Sequence, residues 1–226
     1  MIFLILISII YTIYIIWLSE GLNKLKLRIN NEYNNPFVSI IIAARNEENN
    51  IPNLINAINS QTYEHDKIEI IISNDRSTDN TLQIIKNFVK NKIKIKYVDI
   101  DETPLGWGNK KWALNKAIEL ASGEIILQTD ADCIPNKQWI STMVNCFSDL
   151  NVGFVSAPSP LIENSFMSKL LNFENNSQDA FSAGGFGNNL VLSCVGRNIA
   201  FRKNIFNEIN GYQEIEFLHS GDDDLL

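Results

Sequence analysis

Apolar residues dominate the start of the chain. Residues 1–18 read MIFLILISIIYTIYIIWL and carry no charge. As a helix, this segment would span roughly 27 Å, close to the ~30 Å hydrocarbon core of a bilayer. The pattern predicts a transmembrane anchor that is not cleaved. A signal peptide fits less well, because no basic residue precedes Ile2 and residues 18–21 (LSEG) make a poor cleavage site. A helix lying in the interface also fits less well, because the segment has no polar face.

Three basic residues follow this anchor. Lys24, Lys26 and Arg28 stand directly after it, and the positive-inside rule then places the remainder of the chain in the cytoplasm. Polar residues dominate the stretch that ends at Pro36. The sequence therefore predicts a transmembrane anchor over residues 1–18, a basic and polar linker over residues 19–36, and a globular domain over residues 37–226.

Beyond the linker, short apolar runs alternate with amphipathic segments. Val38–Ala44 and Ile68–Ile72 are apolar on both faces, which is typical of buried parallel strands. Ile93–Ile100 alternates with polar residues like an edge strand, and Glu124–Thr129 forms another run of strand length. Apolar residues at helical spacing lie between these runs. This β-α-β-α-β-α-β order predicts an α/β domain with a mostly parallel sheet flanked by helices.

The second half of the chain is less regular. Phe166, Leu170 and Phe173 fall on one face of a predicted helix, which ends before a glycine-rich segment. The pattern after that helix predicts a turn at residues 183–187, with a mobile loop as the alternative. It also predicts a strand pair at Leu190–Val195 and Ile199–Phe201, and a short helix from Lys203 to Ile209.

Composition narrows the possible functions. Hydrophobic residues make up 45% of the chain and charged residues 20%, which excludes a disordered chain. The formal net charge of −7 has the wrong sign for a general nucleic-acid binder. Cys133, Cys146 and Cys194 are an odd number at spacings that fit neither a disulfide framework nor a zinc site. They are predicted to be free thiols in a reducing compartment.

Polar residues follow the predicted strands at the edge where α/β sheets bind ligands. Asp130 and Asp132 stand one residue apart directly after a strand. Two carboxylates this close repel each other unless a cation lies between them. Mg²⁺ or Mn²⁺ would supply that cation, since such ions take one or two carboxylates together with substrate phosphates. The alternative is a turn with two solvated acids.

Two lysines stand at the start of a predicted helix. Lys110 and Lys111 occupy a position where the helix dipole disfavours cations. A bound phosphate would explain them, and a solvated basic pair is the alternative.

Five motifs occur in order along the chain, namely VSIIIAARNEE, IISNDRSTDNT, NKKWALNKAIELASGEIILQTDADC, GRNIAFRKNIFNEINGY and SGDDDLL. Together they resemble the family-2 glycosyltransferases of the GT-A fold, the inverting family that includes the cellulose, chitin and hyaluronan synthases. The resemblance runs from about Val38 to the end of the chain.

The resemblance implies a role for each matching position. Ala43, Arg45 and Glu47 would line the nucleotide pocket, Asp75 would bind the base, and Lys110 would lie near the nucleotide and its diphosphate. Asp130 would lie near the ribose and sugar, and Asp132 would bind the metal and bridge it to the diphosphate. Gly196, Arg197 and Asn198 would lie beneath the donor sugar. Asp222 and Asp223 match an acidic pair whose second member is the catalytic base.

Some positions depart from the family pattern. Ala43 stands where the family usually has proline, and Asn74 replaces the first acid of a usual pair, which leaves Asp75 as the expected contact of the base. The segment PLGWGNKKWAL is similar to membrane-anchored members that act on lipid-linked acceptors. The chain also stops where the family pattern starts a helix, so we expect it to be a fragment with little transfer activity of its own.

The resemblance implies an inverting glycosyltransferase. Such an enzyme would move a sugar from a nucleotide-diphosphate sugar, expected to be UDP-linked, to a hydroxyl of a lipid or glycan acceptor at the membrane. A divalent metal and an aspartate base would assist. Two alternatives stay open: a sugar-phosphate nucleotidyltransferase, and a non-catalytic module that binds nucleotide sugars. The residues immediately after the first strand, ARNEENN, lack the glycine-rich basic loop expected of a nucleotidyltransferase.

Overall fold

The computed structural model describes residues 1–25, 35–89 and 92–218. It contains two compact units. The first comprises Met1–Leu27 and Ala157–Val195, and the second comprises Arg28–Ser156 and Gly196–Leu226.

The described helices alternate with strands along most of the chain. The helices are α1 (Ile2–Lys24), α2 (Ile51–Asn59), α3 (Thr81–Phe88), α4 (Asn109–Leu120), α5 (Trp139–Asn145), α6 (Phe166–Gly187) and α7 (Lys203–Glu208). The strands are β1 (Val38–Ala44), β2 (Ile68–Asp75), β3 (Lys94–Ile100), β4 (Ile125–Thr129), β5 (Phe154–Ser156) and β6 (Asn198–Arg202).

The second unit is built on one sheet of these strands. Its order is β3-β2-β1-β4-β6-β5. The pairings among β1, β2, β3 and β4 are parallel, whereas β6 pairs antiparallel with both β4 and β5. β1, β2 and β4 are buried along their whole length or nearly so, and β3 at the edge alternates between buried and exposed positions. The predicted mostly parallel α/β sheet is therefore confirmed.

Helix α4 covers the middle of this sheet. Its residues Leu114, Ala117 and Ile118 pack with Ile41 of β1 and Ile71 of β2 in one buried cluster. Burying each of the leucine and isoleucine side chains stabilises the fold by about 1.5–3 kcal/mol. These apolar residues recur at helical spacing, so they set the position of α4 on the sheet. That position brings the first turn of α4 to the ends of the strands.

A close approach follows α4. A Cβ atom added at Gly123 would collide with the backbone nitrogen of Ser39 in β1. The Gly123 N–H donates to the Ser39 hydroxyl (2.8 Å), and that hydroxyl donates to the buried carboxylate of Glu69 (2.7 Å). Glycine is required here because β1 lies against this turn.

In the first unit, α6 does not end where the sequence pattern predicts. Residues 183–187 were expected to form a turn, but they are the last residues of the helix. Their small size lets α6 approach α1, since a Cβ atom at Gly184 would contact Leu18. The strand expected at Leu190–Val195 is also absent from the described structure. That segment packs on the end of α6 instead, where the Leu190 N–H donates to the carbonyl of Gly185 (3.0 Å).

Candidate active site

Several chemically active residues meet at one edge of the sheet in the second unit. β1, β2 and β4 are adjacent and parallel, so their carboxyl ends lie at the same edge. β6 runs the opposite way, so its first residue lies at that edge too. The residues found there are Ala43, Arg45 and Glu47 at the end of β1, Asp75 at the end of β2, Asp130 and Asp132 after β4, and Arg197 before β6.

The loops after β1 and β2 are joined by hydrogen bonds. Asn46, which has a positive φ of 57°, accepts from the Thr78 N–H (2.8 Å). The Glu48 N–H donates to Asp79 (3.2 Å), and the Glu48 carboxylate accepts from the Asn80 N–H (2.9 Å). The two loops therefore hold each other in place beside the strand ends.

Glu47 and Asp79 contribute to this arrangement in different ways. The Glu47 N–H donates to the hydroxyl of Thr81 (2.7 Å), and its carboxylate accepts from the side chain of Asn50 (2.7 Å). Partial burial raises the pKa of Asp79, but hydrogen bonds from Thr81 and from the Glu48 N–H outweigh it and hold that pKa below its usual range. Asp79 is thus ionised at neutral pH and supports the start of α3.

Asp75 is paired with its neighbour in the chain. Its carboxylate is almost fully buried and accepts from the Arg76 guanidinium at 2.7 and 3.2 Å. The hydrogen bond to Asp75 raises the pKa of Arg76. Arg76 has a positive φ of 52°, and its N–H donates to Ile100 in β3 (3.2 Å). Asn74 points elsewhere, since its amide donates to Asp99 (2.7 Å).

Helix α4 brings a cation to the end of β4. The ammonium of Lys110 lies 3.2 Å from a carboxylate oxygen of Asp130, and both side chains are partly exposed. Asp132 is exposed two residues further on. An open carboxylate next to a carboxylate–lysine pair can meet a ligand that carries phosphate groups.

The donor atoms here suit a hard divalent cation. Asp130 and Asp132 offer carboxylate oxygens, which Mg²⁺ and Mn²⁺ prefer. Burial raises the pKa of the Cys133 thiol, and the neighbouring Asp132 and Asp130 charges add to this, against opposing hydrogen bonds. The thiol donates weakly to Asp132 (3.8 Å). Within residues 1–25, 35–89 and 92–218 there is no group of three or more metal-binding side chains, so a metal held here would take further ligands from phosphates or water.

Arg197 lies opposite the acidic residues that follow β4. Thr129 pairs with Asn198 in the antiparallel register, so Asp130 and Arg197 each stand one residue beyond that pair. The side-chain amide of Gln128 donates to the carbonyl of Gly196 (2.9 Å). This contact holds the segment before β6 against β4.

The segment that leads to the proposed base is attached to α4. Lys111 is 1% exposed, and its ammonium donates to the carbonyls of Ile215 (2.9 Å) and Leu218 (3.1 Å). The Gly108 N–H donates to the carbonyl of Glu216 (2.8 Å). Asp222 and Asp223 themselves lie outside the described residues, so their predicted roles stay predictions.

Sequence reasoning missed two contributors to this edge. Lys111 was treated as part of a basic pair with Lys110, yet it is buried and binds backbone carbonyls more than 100 positions further along the chain. Arg76 was given no role, yet it pairs with Asp75. Nothing in the local sequence pattern at residue 111 indicates burial. The Arg76 ion pair could have been predicted, because Arg76 directly follows Asp75 at the end of a strand.

Sequence comparisons place this geometry in context. The glycosyltransferase AglE of Haloferax volcanii is 35% identical over 120 residues, which are 53% of this chain and 38% of that protein. A beta-monoglucosyldiacylglycerol synthase of Nostoc sp. is 35% identical over 120 residues, which are 53% of this chain and 25% of that protein. The chain matches well under half the length of these relatives.

Solved structures of two glycosyltransferases resemble this one. The mannosyltransferase PcManGT from Pyrobaculum calidifontis, in complex with GDP-Man and Mn²⁺, gives a TM-score of 0.68 at 22% identity and covers 87% of this chain and 54% of its own. Staphylococcus aureus TarS (its residues 1–349), in complex with UDP-GlcNAc, gives a TM-score of 0.56 at 20% identity and covers 83% of this chain and 51% of its own. At these identities the likeness shows the fold, and the expected GT-A architecture is confirmed.

A family model described as Glycosyl transferase family 2 matches residues 39–209. This match covers more than half of the chain and includes β1, β2, β4 and β6 with the loops at their shared edge. The chain therefore belongs to glycosyl transferase family 2, and the domain that it carries is a glycosyltransferase domain.

Proposed function

We propose that the protein transfers a sugar from a nucleotide-diphosphate sugar, with UDP as the expected nucleotide, to an acceptor hydroxyl, with inversion at the anomeric carbon. The observation that carries the proposal is the ion pair between Lys110 and Asp130 (3.2 Å), with Asp132 exposed beside it. Ligands of such sheets bind at this edge. PcManGT and TarS, which share the fold, bind GDP-Man and UDP-GlcNAc respectively.

The leaving diphosphate needs positive charge around it. Lys110 already lies beside a carboxylate and would turn its ammonium to the phosphates when the donor binds. Asp132, supported by Asp130, would hold Mg²⁺ or Mn²⁺, which as a Lewis acid neutralises the charge that develops on the diphosphate. The Mn²⁺ in the PcManGT complex supports this assignment.

The nucleoside would lie over the ends of β1 and β2. Asp75 is aimed by its bidentate contact with Arg76, so its orientation is set before a base arrives. Ala43 is half-buried at the end of β1, while Arg45 is exposed. Together with Glu47, which is fixed by Thr81 and Asn50, they would form the walls of the nucleotide pocket.

The acceptor hydroxyl needs a base on the opposite side of the sugar. Asp223 would accept the hydroxyl proton as the new bond to the anomeric carbon forms and the bond to the diphosphate breaks. Asp222 would orient the base or the acceptor, and Arg197 would lie beneath the donor sugar. Attack from this face inverts the configuration, so an α-linked donor gives a β-glycoside.

The acceptor is proposed to be a lipid or a glycan at a membrane. Helix α1 is the single described helix that is long and apolar enough to cross a bilayer. Lys24 stands at its carboxyl end, and Lys26 and Arg28 follow in the sequence. This basic cluster supports a cytoplasmic catalytic domain, where nucleotide sugars would be available. The similarity to an enzyme named for a glucosyldiacylglycerol product supports a lipid acceptor.

The proposal is tested with a panel of nucleotide sugars. The detergent-solubilised protein is heated with each nucleotide sugar, with and without Mn²⁺, and the unfolding temperature is recorded. We expect stabilisation by a UDP-sugar that depends on Mn²⁺, because binding to the native state alone raises its stability. The protein is then assayed for transfer from the donor that binds.

The two alternatives give different results. Pyrophosphate-dependent release of a nucleoside triphosphate from the donor would indicate a nucleotidyltransferase. Donor binding without transfer or donor hydrolysis would indicate a non-catalytic module. No stabilisation by any nucleotide sugar would contradict the proposal as a whole.

A further inference from the structure

Arg76 has a backbone conformation that arginine rarely adopts. Its φ is 52°, in the left-handed region where glycine avoids the steric clash that a Cβ atom causes. Its N–H donates to the carbonyl of Ile100 in β3 (3.2 Å), which ties the residue to the end of the sheet. Strain of this kind is concentrated at functional sites. The contacts of the Arg76 side chain should therefore explain why arginine stands where glycine would be less strained.

The left-handed backbone lets Arg76 pair with the residue before it. Successive side chains of a strand point to opposite faces of the sheet, so neighbours in an extended strand do not face each other. At the end of β2, however, the Arg76 Nε donates to one oxygen of Asp75 (2.7 Å) and Nη2 donates to the other (3.2 Å). The guanidinium thus lies against both oxygens of the carboxylate and fixes its orientation.

The exposed part of this pair offers mainly hydrogen-bond donors. The Asp75 side chain is 9% exposed, whereas the Arg76 side chain is 29% exposed. A guanidinium carries more N–H donors than this contact uses, and it has no acceptor. Each carboxylate oxygen keeps a further acceptor position, but burial restricts access to it. A ligand at the end of β2 therefore meets guanidinium donors beside one partly covered acceptor group.

Nucleotide bases differ in the groups that would face this pair. The Watson–Crick edge of uracil carries an N–H between two carbonyl oxygens, and thymine has the same edge. The edge of guanine carries a single carbonyl oxygen, followed by an N–H and an amino group. An unpaired carboxylate would favour guanine, because the N–H and the amino group can donate to its two oxygens together. Arg76 occupies both oxygens of Asp75, so it removes this advantage and adds donors for carbonyl oxygens.

We propose that Arg76 determines the base specificity of the nucleotide site, shifting the preference of Asp75 from guanine to uracil or thymine. This inference rests on the proposed function, which gives Asp75 the contact with the base and gives Arg76 no contact with it. The N–H of uracil donates to Asp75, and a neighbouring carbonyl oxygen accepts from the Arg76 guanidinium. Guanine could make the same two contacts only by leaving its amino group without the second carboxylate oxygen.

The proposal is tested by calorimetric titration of UDP and of GDP into the detergent-solubilised protein with Mn²⁺. Because both ligands carry the same diphosphate, the ratio of their affinities reports on the base alone. The test variants are Arg76→Gly, which suits the positive φ, and Arg76→Lys, which keeps the charge but loses the planar fork of donors. The matched control is Asn210→Gly, since Asn210 also has a positive φ (59°) but lies in an exposed turn after α7.

We expect wild type and Asn210→Gly to bind UDP at least about tenfold more tightly than GDP, as for a hydrogen bond from a charged donor. In Arg76→Gly this ratio should fall by about tenfold or more, because UDP loses a donor and GDP gains an open carboxylate. In Arg76→Lys the ratio should fall in the same direction by a smaller factor. Thymidine diphosphate should behave like UDP in every variant.

Three results would overturn the proposal. The first is a wild type that binds GDP as tightly as UDP. The second is an equal loss of affinity for UDP and GDP in Arg76→Gly, because Arg76 would then act through its charge on the diphosphate. The third is the wild-type ratio in Arg76→Lys, which decides the matter even if Arg76→Gly does not fold.

These titrations also separate the inference from the proposed function on which it rests. If wild type binds neither nucleotide in the presence of Mn²⁺, the nucleotide site is wrong and the role of Arg76 falls with it. If wild type binds UDP with Mn²⁺ and the Arg76 variants keep its ratio of affinities, the site stands and only the role of Arg76 is wrong.

Discussion

Replacement of Lys111 by methionine should loosen the segment that leads to the proposed catalytic base. Methionine keeps most of the volume of the side chain but donates no hydrogen bond. The carbonyls of Ile215 and Leu218, now bound at 2.9 and 3.1 Å, would each lose a donor. A hydrogen bond from a charged donor contributes about 1.5–3 kcal/mol, and less where water can replace the donor, as at the exposed Leu218. Removing the buried ammonium relieves part of its own desolvation cost, so we expect a net loss of about 2–4 kcal/mol.

The assay combines thermal unfolding with hydrogen exchange. For a domain of this size, about 1 kcal/mol corresponds to 2–4 °C, so Lys111→Met should lower the unfolding temperature by on the order of 10 °C. Amide exchange should rise in residues 212–218 and stay unchanged in β1 and β2. The matched control is Lys116→Met on the same helix. Its partly exposed side chain pairs with Glu119, and its loss should cost under ~1 kcal/mol.

Two results would refute this reasoning. One is an unfolding temperature of Lys111→Met that matches that of Lys116→Met. The other is a loss of stability with exchange rising equally throughout the sheet, because Lys111 would then support the core in general and not the segment before Asp222 and Asp223.

Three further predictions follow from the geometry. Glu69→Gln should cost about 1–3 kcal/mol. Burial raises the pKa of Glu69, but hydrogen bonds from Lys96, Ser39 and the Ser122 N–H outweigh burial and lower that pKa. The Glu69 carboxylate therefore stabilises the fold above the ordinary glutamate pKa, and this stabilisation is lost as pH falls through the lowered pKa. A free energy of unfolding that does not change over pH 3–7 in denaturant titrations would contradict this. Gly123→Ala should lower stability by about 1–3 kcal/mol, because its Cβ meets β1; an unchanged urea midpoint would contradict this. Asp223→Asn should slow sugar transfer by about 10²–10⁴-fold and leave UDP binding intact. If Asp222→Asn alone abolishes transfer, the base is Asp222.

The central sheet could be predicted because its strands are marked by composition alone. Val38–Ala44 is buried at nearly every position, so an apolar run on both faces identified it without knowledge of its neighbours. β2 extends further than its apolar run, since Ser73, Asn74 and Asp75 continue the strand. These polar residues stay in the strand because each finds a partner there: the carbonyl of Ala113 for Ser73, Asp99 for Asn74 and Arg76 for Asp75.

The connections in the second half could not be predicted in the same way. Leu190–Val195 has the composition of a strand, but the end of α6 satisfies its first N–H, and β5 at Phe154–Ser156 pairs with β6 instead. The glycines at 184, 185 and 187 look like a turn locally. They are helical because they pack close to other backbone segments, including Gly21 and Leu190.

The strand-end residues of the candidate site could be predicted from the sequence, but the contacts of Lys111 that hold a distant segment beside the site could not. Parallel strands must bring their carboxyl ends to one edge, so Asp75 and Asp130 could be placed together from the order of elements. The ion pair of Lys110 with Asp130 agrees with a lysine near a phosphate site. The burial of Lys111 depends on a segment more than 100 residues away in the chain, and no periodicity encodes such a contact.

The central claim is that Asp132 binds a divalent metal together with a nucleotide diphosphate. The most direct measurement is calorimetric titration of UDP into the solubilised protein with Mn²⁺ and with a chelator, for wild type, Asp132→Asn and the control Asp66→Asn, whose acid is exposed before β2 at the opposite edge of the sheet. The account predicts Mn²⁺-dependent binding in wild type and Asp66→Asn, and the loss of most of that dependence in Asp132→Asn. Binding by Asp132→Asn with the affinity and Mn²⁺ dependence of wild type would contradict it.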